Sequence, residues 1–252
     1  MAKMAKNNKN VMDFDPKKML LSSKSAFSVQ EAYKTLRTNI SFSLPGSGCK
    51  CIGITSANRG DGKSSVAVNL AISFAQINKK VVILDCDMRL PTVASKIGIE
   101  SKPGLSNFLI GSYGLDDKII KRVEDKGIDV FPAGNIPPDP TTLLESENMA
   151  DLLGVLRKHY DYVIIDLPPL MPVSDAAILS KYIDGYLIVV RHEKSEYGKI
   201  DDTLHQLEFA GAKVIGFVYN GKMLENHYRR SGKYKYYYYY DYYKKSGAKS
   251  KR

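Results

Sequence analysis

The part of this chain best equipped for chemistry is a glycine-rich turn that ends in a lysine and two hydroxyls. Ser56-Ala57-Asn58-Arg59-Gly60-Asp61-Gly62-Lys63-Ser64-Ser65 lies between an apolar run at 52–55 and a helix-spaced apolar stretch at 66–75. Strand, tight turn, Gly-Lys-Ser and helix is the order of a phosphate-binding loop. Gly60 and Gly62 let the backbone turn its N–H groups toward phosphate oxygens. The start of the following helix adds partial positive charge at the same place. Lys63 can reach the outer phosphates of a nucleotide, and the Ser64 hydroxyl suits Mg²⁺. Asp61 and Ser65 complete the candidate cradle. The usual pattern opens with Gly where this chain has Ala57.

Three carboxylates stand at the ends of other apolar runs. Asp166 closes the run at 162–165. An Asp in that position commonly holds Mg²⁺ through water beside the loop serine. Asp85 closes the run at 81–84, and Asp87 follows two residues later. On an extended segment the two point the same way. Beside a metal they could ligate it and also take a proton from a nucleophile. Without the phosphate loop upstream, all three would read as turn or cap residues.

These residues need a scaffold, and the periodicity supplies one. Short apolar runs at 52–55, 81–85, 128–131, 162–166, 185–190 and 214–219 read as buried strands. Helical patterns lie between them at 66–75, 141–159, 174–182 and 196–210. Residues 91–127 read as a mixture of helix and loop. A further helix is expected to start at Ser28, where Ser28-x-x-Glu31 matches a capping box, with Val29, Ala32, Tyr33, Leu36 and Ile40 on its apolar stripe. Glu31, Lys34 and Arg37 fall off that stripe and read, on periodicity alone, as a solvated face with weak charge pairs. The alternation predicts an α/β fold: a mainly parallel sheet with helices on both faces, like that of P-loop NTPases. The loop and the acidic ends all fall at strand carboxyl ends, where such sheets bind ligands.

The 252 residues suffice for a sizeable core. No run is long enough to cross a bilayer and no signal-peptide pattern follows the first lysines, so a cytoplasmic location is expected unless something tethers the chain. Cys49, Cys51 and Cys86 form no disulfide framework or zinc pattern and read as reduced thiols. The net charge of +10 is uneven. Residues 1–25 hold six Lys and two Asp; residues 226–252 hold nine Lys or Arg and one Asp. The body between them is therefore slightly acidic. This argues against a nucleic-acid partner and for basic arms near an acidic partner or membrane surface. The reading divides the chain into a flexible arm at 1–25, a catalytic body at 26–225 and a tail at 226–252.

That tail is unusual. Tyr234, Tyr236, Tyr237, Tyr238, Tyr239, Tyr240, Tyr242 and Tyr243 crowd into ten residues, eight of the 17 tyrosines in the chain. Such a run can be a sticky low-complexity tail, a stacking or membrane-interface segment, or a set of phosphate acceptors. Each phosphate adds about −1.5 to −2, so eight would reverse the sign of the tail.

Taken together, the phosphate loop, Ile83-Leu84-Asp85-Cys86-Asp87-Met88-Arg89 with Pro91, Val163-Ile164-Ile165-Asp166-Leu167-Pro168-Pro169 and the tyrosine cluster resemble the bacterial tyrosine kinases of capsule and exopolysaccharide synthesis. More closely, the chain resembles the separate cytoplasmic kinase of Gram-positive bacteria. The resemblance runs from about Ser28 to the C-terminus, and no eukaryotic kinase motif is present. It implies ATP held by Lys63 and the loop, Mg²⁺ organised by Ser64, Asp85 and Asp166, and a tyrosine proton accepted by Asp85 with Asp87 beside it. Asn220 corresponds to an adenine-contacting residue. The resemblance also implies that the tail of one subunit enters the site of its neighbour. Ring assembly would use Glu-x-x-Arg-x-x-Arg, here Glu31-x-x-Lys34-x-x-Arg37 with Lys in the middle place. A membrane adaptor would activate the kinase, other tyrosine-containing proteins would be substrates, and polysaccharide synthesis and export would be controlled.

Two other readings share these motifs. Partitioning and division-site ATPases have the same fold, but carry a signature Lys where this chain has Asn58, and lack a tyrosine tail. A nucleotide-binding scaffold would not need Lys63, Ser64, Asp85, Asp87 and Asp166 intact.

Overall fold

A computed structural model describes residues 20–115, 118–170 and 175–221. Seven strands form one sheet: β1 Lys50–Ser56, β2 Val81–Asp85, β3 Lys121–Val123, β4 Ile128–Phe131, β5 Tyr162–Asp166, β6 Gly185–Arg191 and β7 Val214–Asn220. Their order across the sheet is β3-β4-β2-β5-β1-β6-β7. All neighbours are parallel except β3, which runs antiparallel to β4 at the edge. Only β3 was not foreseen: Lys121-Arg122-Val123 is short and polar, so it carries no apolar run to mark it.

The helices are α1 Phe27–Ser43, α2 Lys63–Ala75, α3 Val93–Ile97, α4 Leu105–Leu109, α5 Pro140–Glu145, α6 Glu147–His159, α7 Asp175–Ile178 and α8 Tyr197–Phe209. They cover both faces of the sheet. Ile52 and Ile54 of β1, Val81 and Ile83 of β2, and Leu187 and Val189 of β6 pack with α1, α2 and α3. Val82 and Leu84 of β2, Val163 and Ile165 of β5, and Tyr186 and Ile188 of β6 pack with α4, α5, α6, α7 and α8. Successive side chains of a strand point to opposite faces, so a strand buried on both must be apolar throughout. That is why the runs lack alternation.

Three local readings are corrected. Helix α1 starts at Phe27, not Ser28, and Ala26 at its cap makes no side-chain bond. The chain enters instead through a turn in which Ser25 N–H donates to the Ser22 carbonyl, and Gln30 Nε2 donates to the Ser25 carbonyl. Packing also begins before residue 25: Leu21 is buried and its N–H donates to Asn69 Oδ1 of α2 at 2.8 Å. The single helix expected at 141–159 is two, because Ser146 leaves the helical conformation at φ −64°, ψ 156° and caps α6 through Met149 N–H. Among the described residues no helix is long and apolar enough to cross a membrane.

Candidate active site

The loop after β1 is shaped by its glycines and held from outside. Gly60 has φ 86° and Gly62 has φ 100°, in the left-handed region that L side chains avoid. Gly62 is also the residue before α2, so its conformation sets where the free N–H groups of that helix point. Within the loop, Ser56 Oγ donates to the Asn58 carbonyl at 2.7 Å, and Asn58 N–H donates to Asp61 Oδ2 at 3.2 Å. Asp61 is buried and serves the shape of the loop. Two distant residues brace it. Arg191, ending β6, donates through Nη1 to the Gly60 carbonyl at 2.6 Å. Asn220, ending β7, donates through Nδ2 to the Asp61 carbonyl at 2.8 Å.

A Cβ on Gly62 would run into that Asn220 amide, whereas one on Gly60 would meet nothing within 4 Å. Gly60→Ala therefore meets only backbone strain, about 1–2 kcal/mol. Gly62→Ala meets the same strain and also pushes Asn220 off the loop. We expect Gly62→Ala to weaken binding of an ATP analogue at least tenfold and Gly60→Ala to weaken it less. Equal losses in calorimetric titrations of the two variants would contradict this.

At the first turn of α2, Lys63 and Ser64 are both buried. Lys63 Nζ lies 3.8 Å from Asp87 Oδ2, with both side chains under a tenth exposed. Ser64 Oγ accepts from Thr92 Oγ1 at 2.8 Å. Parallel register places Asp85 directly beside Asp166 on neighbouring strands. Both are fully buried. Asp85 Oδ2 accepts from Val93 N–H at 3.3 Å, but Asp85 Oδ1 and both carboxylate oxygens of Asp166 have no hydrogen-bond partner. Asp87 accepts from Leu90 N–H at 3.2 Å.

Burial dominates the electrostatics here. It pushes the carboxyl of Asp85 well above the ordinary range, and the charges of Asp166 and Asp87 push it further. Asp166 is raised to about 6 by burial, with the Lys63 charge and the nearby Ser64 hydroxyl offsetting part of the rise. Asp87 is raised by burial and pulled back mainly by Lys63. A buried acceptor with nothing to accept from is costly. Three such oxygens beside a serine hydroxyl are a donor set suited to a hard cation. Among the described residues no three His, Cys, Asp or Glu side chains form a cage. Mg²⁺ does not need one, since it keeps waters and phosphate oxygens as ligands.

The structure thus brings Gly60, Asp61, Gly62, Lys63, Ser64, Ser65, Asp85, Asp87, Asp166 and Asn220 to one end of the sheet. Glu31 and Lys34 pair with each other on exposed α1 at 2.7 Å. Arg37 instead turns inward, and its Nη1 donates to the carbonyl and hydroxyl of Ser73 on α2. The tyrosines of 234–243 lie outside the described residues. Sequence reasoning missed Thr92, Arg191 and a group formed by Arg89, Asp175 and Thr141. Arg89 donates from Nε to Asp175 Oδ2 at 2.9 Å and from Nη2 to Asp175 Oδ1 at 3.2 Å. Arg89 Nη2 also donates to Thr141 Oγ1 at 3.1 Å, and Thr141 Oγ1 donates to Asp175 Oδ1 at 2.8 Å. Arg191 closes a strand that only the assembled sheet sets beside the phosphate loop, and the other contacts likewise have no local signature.

Comparison with known proteins gives the same picture. Residues 49–210 match the AAA domain family. The tyrosine-protein kinase YwqD of Bacillus subtilis (strain 168) is 38% identical over 78% of this chain and 83% of its own length. The tyrosine-protein kinase CpsD of Streptococcus agalactiae serotype III (strain NEM316) is 33% identical over 78% of this chain and 84% of its own. Other relatives are longer: the chain spans 26% of the tyrosine-protein kinase ptk of Acinetobacter johnsonii, at 34% identity over 75% of this chain. Among solved structures, the kinase domain of Escherichia coli tyrosine kinase ETK superposes with a TM-score of 0.75 at 33% identity, covering 83% of this chain and 80% of that one. The chimerical protein CapA2B2 superposes with a TM-score of 0.76 at 35% identity, covering 84% and 92%. With a phosphate loop and paired strand-end carboxylates in place, and relatives of this similarity, the chain belongs to the family of bacterial tyrosine-protein kinases.

Proposed function

We propose that this kinase uses ATP and Mg²⁺ to phosphorylate the tyrosines of its own C-terminal cluster, one copy acting on the tail of another, under the control of a membrane adaptor. The process served is capsular or exopolysaccharide synthesis and export. The observation that carries the catalytic part is the set of partnerless buried oxygens on Asp85 and Asp166 next to Lys63 and Ser64. The tail enters through its composition and through the family resemblance.

The geometry supports the following roles. The N–H groups at the start of α2 and around Gly62 hold phosphate oxygens, and Lys63 spreads positive charge toward the group in transfer. Ser64 and Asp166, with Asp85 nearby, would hold Mg²⁺. When bound, the metal neutralises charge on the phosphates and polarises the bond to be broken. Asp85, ionised when a cation sits beside it, would accept the proton of the tyrosine hydroxyl as that oxygen bonds to the γ-phosphorus and the bond to ADP breaks. Asp87 keeps Lys63 aligned. Modified tails change sign: eight phosphates would add roughly −12 to −16 to a tail near +8. Such a reversal would loosen tail-to-neighbour contacts and a ring assembly through Glu31, Lys34 and Arg37, for which Arg37 would have to leave Ser73.

Phosphotyrosine mapping by mass spectrometry after incubation with Mg-ATP tests this reading. It is run with and without a cytoplasmic adaptor peptide, beside Lys63→Met. Phosphate within 234–243, missing in Lys63→Met, is the expected result, and a greater yield with the peptide is expected from adaptor control. ATP hydrolysis with no modified tyrosine under either condition would sink the autokinase reading and favour a partition-type ATPase.

A further inference from the structure

The stretch after β2, which carries Asp87, is tied to β5 at one end and to α7 at the other. At the root, Cys86 N–H donates to the Asp166 carbonyl at 2.9 Å, which continues the β2–β5 pairing. At the outer end, Arg89 meets Asp175, the first residue of α7, which follows the loop after β5. Asp87 lies between the two ties. Its carboxylate reaches Lys63 on one side and Leu90 N–H on the other.

We propose that Arg89 is a positioning residue for phosphotransfer, acting as a clamp through Asp175 and Thr141 that fixes where Asp87 stands. This rests on the role given above to Asp87. The geometry of the clamp is demanding. Asp175 is 1% exposed, and both its oxygens are engaged by the planar fork of Arg89. The Thr141 hydroxyl fills the third corner, accepting from Arg89 and donating to Asp175. A planar fork meeting both oxygens of a carboxylate fixes direction as well as distance. An ammonium at the same place would be a point charge without that constraint. The side chain of Arg89 remains 38% exposed, so the clamp sits at the rim of the site and not in the apolar core.

Without the outer tie, the stretch from Asp87 to Leu90 loses its connection to α7, and Asp87 keeps only its contacts with Lys63 and Leu90 N–H. The Asp87 carboxylate then keeps its chemistry but loses its place, and a misplacement of about 1 Å can cost 10²-fold in rate. The turn at Gly60 and Asp61 keeps its own braces from Arg191 and Asn220. Turnover should therefore fall while nucleotide binding survives.

The test compares Arg89→Lys, Thr141→Val and Thr141→Ser in the full chain. For each, ATP-analogue affinity, thermal stability and the turnover of Mg-ATP are measured, counting transfer to tyrosine and to water separately. Arg89→Lys is expected to lower turnover 10- to 100-fold with analogue affinity within threefold of the parent. Thr141→Val is expected to lose severalfold, and Thr141→Ser, which restores the hydroxyl, to return near the parent. The clamp is refuted if Arg89→Lys turns over within twofold of the parent, or if affinity falls in step with turnover. It is also refuted if Thr141→Ser is no better than Thr141→Val, or if the losses disappear once corrected for the unfolded fraction. A parent protein that hydrolyses ATP but modifies no tyrosine refutes the autokinase reading alone, and the clamp is then judged on hydrolysis. A parent with no turnover at all overturns both.

Discussion

Asp166→Asn should make the metal-free protein more stable and, at the same time, remove phosphotransfer. The two effects share one cause. Asp166 is fully buried with both oxygens partnerless, and its carboxyl is raised from 3.8 to about 6. A raised carboxyl favours the fold while it is protonated. That stability is fully present below the unfolded value near 4 and is lost as pH rises through about 6. At neutral pH the ionised group therefore costs the fold about 3 kcal/mol, taking roughly 1.4 kcal/mol for each pH unit between the two values. Asn keeps the shape and carries no charge. It also removes one of the two charges that push Asp85 upward. In the absence of divalent metal at pH 7.5, the melting temperature should rise by on the order of 5–10 °C for a chain of this size. The decline in stability between pH 4 and 6 should flatten. Mg-ADP should stabilise the parent far more than the variant, and phosphotransfer should drop about 10³-fold. Thermal melts across pH, with and without Mg-ADP, decide the matter. A variant that melts lower at pH 7.5 without metal would show that the Ser64 hydroxyl holds the Asp166 carboxylate strongly enough to offset its burial.

Lys63→Met should have the larger kinetic effect. The Lys63 ammonium is buried, lies 3.8 Å from Asp87, and is a principal force holding down the proton affinities of both Asp87 and Asp166. Met matches the length of the stem and keeps the packing against α2, so the change removes charge with little loss of volume. Preorganised positive charge at a transferring phosphoryl group supplies several kcal/mol. We expect kcat/KM for ATP to fall at least 10³-fold, with ATP-analogue affinity falling about tenfold. Lys63→Arg should not restore activity, because the guanidinium fork is larger than the buried ammonium it replaces and presents its charge in a fixed plane. Single-turnover measurements at saturating Mg-ATP separate the two losses. Near-normal turnover in Lys63→Met at saturating nucleotide would remove Lys63 from the chemistry and leave it only a binding role.

Much of this protein is legible in the chain because the signals are local. Val81 to Asp85 and Tyr162 to Asp166 read as strands from a few consecutive residues, since strands buried on both faces must be apolar at every position. Gly60 to Ser64 reads as a phosphate loop because the turn, the helix start and the lysine all lie within five residues. Those local features also place Asp85 and Asp166 at strand ends. That they stand side by side is a matter of register, which only the assembled sheet sets.

What the tertiary structure decided are the contacts made across long separations. Arg191 braces Gly60 from 131 residues away, and Asn220 braces Asp61 from 159. Arg89 finds Asp175 at a separation of 86 and Thr141 at 52. No periodicity or spacing marks such pairs, because each partner taken alone is an ordinary residue and the separation between the two carries no pattern. The inward turn of Arg37 onto Ser73 belongs to the same class, since it depends on how α1 lies against α2. Residue types along the chain determined which groups could do the chemistry. The stacking of β5 against β1 and β2, and of β6 and β7 beyond, decided where those groups are held, because burial beside a charge sets a carboxyl's proton affinity and burial exists only once the elements have packed.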